Sequence, residues 1–174
     1  MQISKLLVLT LALTGLLAGC GEDPGKERFR QALIDKALND DTRRAGTEFL
    51  TKNREREGVN VTDSGLQIEH LRQGEGESPS GRDTVVVHYE GTRVDGVVFD
   101  SSYARDNPAT FPLNQVIRGW REGLTLMREG GEAMLYLPPE LAYGATSPSP
   151  DIPANSTLIF RVELLDVIKQ EDAQ

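Results

Sequence analysis

The chain has 174 residues, with 19 basic and 27 acidic side chains and a formal net charge of −8 at pH 7. An acid excess of this size argues against a surface that tracks a phosphate backbone, so no nucleic-acid partner is expected. The length suits one domain with a substantial core plus a modest extension, and the sole cysteine, Cys20, excludes an internal disulfide.

The opening segment, MQISKLLVLTLALTGLLA, holds one Lys and an apolar run from Leu6 to Leu17. That run is short for a bilayer span and suits a secretory signal. It ends in LAGC, which resembles the lipobox of bacterial lipoproteins, where cleavage precedes an acylated cysteine. Two readings of Cys20 stand: a lipidated anchor, or a free thiol after an ordinary signal. Next, ERFRQALIDKAL sets Phe29, Leu33 and Ala37 at four-residue spacing, and Ala45, Phe49 and Leu50 continue an apolar stripe towards Gly58. Residues 27–56 are therefore expected to be helical. So sparse a stripe needs a partner helix, the domain, or a role as a spacer from the membrane.

From Leu66 onward the pattern changes to period two and short apolar runs, LQIEHL, DTVVVHYEG, GVVFDSS, EAMLYLP and STLIFRVELLDV, divided by Gly, Pro, Ser and Asp. One helix is expected among them, from Trp120 to Met127. Strands around a single short helix point to an α+β fold with one sheet face covered. Tyr89, Phe99, Phe111, Trp120 and Tyr143 each abut a Gly, Pro or Asp at a strand end or turn, where cavity walls tend to lie.

Several chemistries drop out. His70 and His88, the only histidines, lack cysteine or carboxylate partners at ligand spacing, so no metal and no cofactor is expected. No G-x-S-x-G or phosphate-loop motif occurs. The serines of FDSSY have Asp100 beside them but no base to activate a hydroxyl. What remains is an aromatic lining with a few polar groups.

The motifs VVVHYEGT, DGVVFDSSY, QVIRGWREGL, LPPELAYG and IPANSTLIFRVELLDV, in that order over about a hundred residues, resemble the FKBP-type peptidyl-prolyl cis–trans isomerases. GVNVTDSGLQ further resembles the bacterial envelope branch with the macrophage infectivity potentiators. The resemblance implies a twisted antiparallel half-barrel sheet around one short helix, with an N-terminal helical extension. It divides the chain into a signal (1–19), a lipid-anchored stalk (20–62), the isomerase domain (63–168) and a tail (169–174). Carried over residue by residue, it assigns catalysis to Tyr89, Phe99, Asp100, Trp120 and Tyr143, and substrate binding to Arg105, Phe111, Val116, Ile117, Ile152 and Phe160. Trp120 becomes the cavity floor, with Gly119 keeping the backbone slim beneath a prolyl ring. The Ile117 N–H and Tyr143 hydroxyl would hold substrate carbonyls, and Tyr89 and Arg105 would orient Asp100. Phe99, Phe111 and Phe160 read equally well as core, and Arg105 as a solvated loop charge. Ala109 and Asp151 depart from the usual aromatic and apolar residues, which would leave the mouth more open and more polar.

The partners implied are proline-containing polypeptides, macrolides of the kind this family binds, and the membrane through Cys20. Dimerisation through the N-terminal helix stays open. Gly21, in place of an Asp, favours the outer membrane of the cell envelope, facing the periplasm. A binding module with little turnover is the competing class. The stalk contributes none of the implied site residues and is expected to be dispensable for turnover.

Overall fold

The computed structural model describes residues 40–170, together with Gly25, Lys26, 28–30, Ala32 and Leu33. The signal, Cys20 and the last four residues of the expected tail lie outside the described residues. The described upstream residues are helical, and Phe29 and Leu33 are exposed.

Helix α1 (Asp41–Asn53) starts where Asp40, in extended conformation, accepts the Arg43 N–H at 2.7 Å. Glu48 and Lys52 pair one turn apart at 2.6 Å along its outer side. The inner side is set by size and polarity more than by an apolar stripe. Gly46 and Asn53 are buried, Phe49 and Leu50 half-buried, and Ala45 exposed. Phe49 meets the ring of Tyr136 at 5.9 Å, and Asn53 donates to Gln67 at 2.8 Å in a buried bond. A Cβ on Gly46 would stand 2.3 Å from Thr157 Oγ1, so the helix backbone lies directly on the domain. The extension is therefore packed against the sheet from Asp41 onward.

Seven antiparallel strands follow: β1 (Val59–Val61), β2 (Gln67–Arg72), β3 (Thr84–Arg93), β4 (Val98–Ser101), β5 (Ala109–Pro112), β6 (Glu132–Leu137) and β7 (Leu158–Ile168). Their order is β1-β2-β6-β7-β3-β4, with β5 also paired to β3. β1 pairs with β2, so the sheet begins four residues before the boundary read at 63. Alternation places Val85, Val87 and Tyr89 of β3 on the same buried face as Leu158, Phe160, Val162 and Leu164 of β7. β6 reads as a continuous apolar run because it is covered twice. Ala133, Leu135 and Leu137 face the core, while Tyr136 lies under Phe49 of α1. Register shifts in β3, between Val86 and Val87 against β7 and between Gly91 and Thr92 against β4, add twist where the sheet curls.

Helix α2 (Arg118–Thr125) covers the concave face through Trp120 and Leu124, with Met127 buried just beyond its end. Two glycines one turn apart set how close it comes. A Cβ on Gly119 would stand 2.4 Å from Leu137 Cγ, and one on Gly123 2.7 Å from Leu135 Cδ1. Gly119 therefore faces β6, away from the role expected for it beneath a prolyl ring. Its small size serves the contact between helix and sheet, which in turn places the indole. Among the described residues no helix is long and apolar enough to cross a membrane.

Candidate active site

Trp120 is almost fully buried, and three rings meet it edge to face: Tyr89 at 5.1 Å, Phe160 at 5.3 Å and Phe111 at 5.4 Å. Each comes from a different strand, so the sheet's curl brings them around one indole. This edge-to-face geometry is the favoured arrangement of aromatic quadrupoles. The indole N–H has no hydrogen-bond partner among the described residues. Above this floor opens a cavity of about 350 Å³, lined by Tyr89, Phe99, Asp100, Phe111, Gln115, Val116, Ile117, Trp120, Tyr143 and Phe160.

Phe99 and Phe160 pack at 5.6 Å, nearly perpendicular, across Gly91. A Cβ on Gly91 would fall 2.6 Å from one ring and 2.9 Å from the other, so only glycine lets the wall close there. Phe99, Phe111 and Phe160 line the cavity and also pack on the core, so both readings of these rings describe the same positions.

The polar side is built on Asp100 of β4. The Tyr89 hydroxyl donates a short hydrogen bond to one carboxylate oxygen, and Arg105 donates to the other at 2.5 Å. Arg105 also donates to the Tyr89 oxygen at 3.0 Å, with its guanidinium 5.8 Å above the Tyr89 ring centroid. The three side chains close a ring of charge-assisted bonds. Burial alone would raise the Asp100 carboxyl, but the bonds from Tyr89 and Arg105, with the arginine's charge, outweigh it and hold the group below its ordinary value. Burial and the carboxylate it serves push the Tyr89 phenol up, which keeps it a donor.

Ile117 lines the cavity and is the N-cap of α2, an end that no side chain caps. Tyr143 is partly exposed at the mouth. The structure thus gathers nine expected residues around one cavity. Two others sit elsewhere. Arg105 reaches Asp100 and Tyr89 without lining the cavity, and Ile152 is buried in the core cluster. Ala109 packs on the core, and Asp151 is exposed with its backbone carbonyl accepting from Arg93 at 3.0 Å; neither lines the cavity. Gln115 does line it and was not singled out in the sequence, although it directly precedes Val116 and Ile117. No cluster of three metal-ligating side chains occurs among the described residues.

An antiparallel sheet curled over one helix, with an indole-floored aromatic cavity and a tyrosine- and arginine-held aspartate at its side, defines the FKBP class of domain. Residues 75–165 match the FKBP-type peptidyl-prolyl cis–trans isomerase family, and residues 24–69 match the domain amino terminal to it; the chain belongs to this family. It is 52% identical over 123 residues to the FKBP-type 22 kDa peptidyl-prolyl cis–trans isomerase of Escherichia coli (strain K12), covering 71% of this chain and 60% of that protein. To the peptidyl-prolyl cis–trans isomerase Mip of Coxiella burnetii it is 48% identical over 122 residues, covering 70% of this chain and 53% of the relative. The chain thus spans between half and three-fifths of the length of these two relatives. The crystal structure of FkpA from Escherichia coli superposes with a TM-score of 0.73 at 44% identity, over 83% of this chain and 68% of that one.

Proposed function

We propose that this chain isomerises prolyl peptide bonds in the indole-floored cavity, acting on proline-containing segments of cell-envelope proteins. The observation that carries the reading is the union of an aromatic floor with a half-buried, doubly held carboxylate, Asp100. Rotation about an amide C–N bond is opposed by roughly 18–20 kcal/mol of resonance. Cis and trans X–Pro differ by only about 0.5–1 kcal/mol, so the reaction needs a lower barrier and no change in driving force. Each tenfold acceleration takes about 1.4 kcal/mol of differential stabilisation.

The planar amide carries negative charge on its carbonyl oxygen, which water stabilises. Over Trp120 that water is excluded, and the planar state loses more than the twisted one. The Ile117 N–H and the Tyr143 hydroxyl donate to substrate carbonyls and fix the segment on either side of the bond. The Asp100 carboxylate, oriented by Tyr89 and Arg105, faces the rotating carbonyl, whose carbon is left more positive as resonance is lost. No covalent bond to the protein forms. A holding module without turnover rests on three features, Ala109, Asp151 and a dimerising N-terminal helix, and the first two do not line the cavity.

The deciding experiment is a protease-coupled assay of the full chain on short Ala-Pro and Leu-Pro peptides. Acceleration of the slow phase is expected, with macrolides of the family competing for the cavity. A folded chain that leaves the slow phase unchanged sinks the reading. The setting of this activity is an acyl anchor on Cys20 in the outer membrane, supported by LAGC after an apolar run. Two acyl chains anchor stably, each buried methylene contributing about 0.8 kcal/mol. Cys20→Ala is expected to move the protein from the membrane to the soluble fraction in detergent-free fractionation. The exposed faces of Phe29 and Leu33 are where a second copy would pack if the extension dimerises.

A further inference from the structure

Tyr143 lies in the loop between the turn at Pro139–Leu141 and β7, and the first turns of α1 grip that loop. One carboxylate oxygen of Asp40 caps the Arg43 N–H, while the other accepts from Asn155 Nδ2 at 2.8 Å. The Asn155 backbone N–H donates to the carbonyl of Gly144, the residue after Tyr143, at 2.7 Å. The Gly144 N–H in turn donates to the Pro139 carbonyl at 2.8 Å. Arg43 pairs with Glu140 on the near side of the same loop.

The geometry is specific. Asn155 is buried at φ 60°, in the left-handed region that asparagine tolerates better than most residues, and Gly144 stands at φ 58°. Two residues beyond Asn155, Thr157 rests directly on Gly46 of α1. The loop is thus held by its own backbone bonds, and the one that ends at Asn155 is anchored by the cap of a helix that lines no part of the cavity.

We propose that Asp40 and Asn155 are positioning residues for Tyr143, so that docking of α1 sets where the Tyr143 hydroxyl stands over the cavity. The functional consequence rests on the isomerase reading; the structural link does not. An extension with no cavity residue thereby acts on turnover, against the dispensability its sequence suggests.

The test uses Asn155→Asp, which sets two carboxylates against each other, and the exchanged pair Asp40→Asn with Asn155→Asp. The exchanged pair reverses donor and acceptor while leaving an asparagine as a competent N-cap. Asn155→Gly, which keeps the left-handed backbone and deletes the amide, guards against a folding failure. Each is measured in the full chain on a prolyl peptide, in the parent and in a Tyr143→Phe background, alongside hydrogen exchange of the residue 155 amide.

Asn155→Asp is expected to lower kcat/KM about tenfold in the parent, as misplacing a substrate-holding group does. It should have little further effect once the Tyr143 hydroxyl is absent, and the exchanged pair should recover most of the loss. The residue 155 amide should exchange faster in Asn155→Gly. Equal losses in both backgrounds, or unchanged exchange in both single variants, would overturn the proposal. If the parent itself shows no turnover, the isomerase reading fails, and the exchange data alone decide the brace.

Discussion

Asp100 shows how a carboxylate stays ionised where its surroundings favour the neutral form. Burial raises the group, whereas the Tyr89 hydroxyl, the Arg105 hydrogen bond and the Arg105 charge lower it further than burial lifts it. A depressed folded value means that the contribution of the ion is present above the unfolded value and lost as pH falls through the folded one. Turnover should therefore hold through the ordinary carboxylate range and fall only below it. Arg105→Leu should move that acid limb to higher pH, because burial then acts with less opposition. An acid limb that stays put would remove Asp100 as the ionising group. Asp100→Ala should lower turnover with little loss of stability, since its side chain is 41% exposed. At the same scale, Gly91 is legible in the motif HYEGT only as a punctuation mark. Its reason, two rings closing over the missing Cβ, needs the register that sets Gly91 opposite both Asp100 and Phe160.

Among the elements, α2 depends on its glycines most directly. Gly119→Ala drives a methyl into Leu137 and towards the Leu141 carbonyl, 3.2 Å away. Overpacking of this kind costs about 1–3 kcal/mol, and here the displacement also lifts Trp120. Lower stability with a red-shifted Trp120 emission is expected; an unchanged unfolding midpoint would contradict the close contact. Asp83 ties the start of β3 to the end of β7, accepting the Ser80 N–H at 2.7 Å and the Gln170 N–H at 3.0 Å. Burial raises this carboxyl, but those bonds and Lys169 bring it from 3.8 down to about 2. The difference corresponds to roughly 2 kcal/mol, present at neutral pH and lost as pH falls from about 4 towards 2. Asp83→Asn should therefore destabilise at pH 7 by about that amount and by little at pH 2, read from denaturant midpoints.

The strands of five or more residues were legible because alternation needs length to show: QIEHLR, TVVVHYEGTR, EAMLYL and LIFRVELLDVI all stand where the pattern put them. VFDS at β4, only four residues long, shows through the apolar start of GVVFDSS, whereas VNV at β1 is too short to carry a period and ATFP at β5, bounded by Pro108 and Pro112, reads as a turn. The docking of α1 was illegible for another reason. Ala45, Phe49 and Leu50 mark a stripe that fits the domain, a partner helix or a spacer equally, and Gly46 and Asn53, which seat the helix on the sheet, carry no apolar signal to choose among them. Tyr89, Phe99, Phe111, Trp120 and Tyr143 are legible as cavity walls from their places at strand ends and turns, whereas Asp100, Val116, Ile117 and Phe160 emerge only through the motif resemblance, which is least accurate in the loops. Ile152 proved to be core, and Asp151 turned its backbone to Arg93.

For the whole molecule, the helical extension and the sheet behave as one packed body from Asp41 onward. A chain starting near Asn60 would uncover Tyr136 and hand both Gln67 side-chain bonds, to Asn53 and to the Leu50 carbonyl, to water. Each bond exchanged in this way costs about 0.5–1.5 kcal/mol. Such a truncation should have a lower melting temperature and faster amide exchange in the Tyr143 loop. A truncated domain as stable as the full chain would show that α1 only rests on the surface.

The strand order carries a consequence in time. β7, which comes last in the chain, occupies the centre of the sheet between β6 and β3. Before it is made, β1-β2-β6 and β3-β4-β5 are two fragments with no strand pairing between them, and Phe99 and Trp120 have no Phe160 to close against. Pairings that distant in sequence form slowly. The sheet can therefore close only once β7 has been synthesised, and until then the two fragments on either side of it lack the strand that joins them.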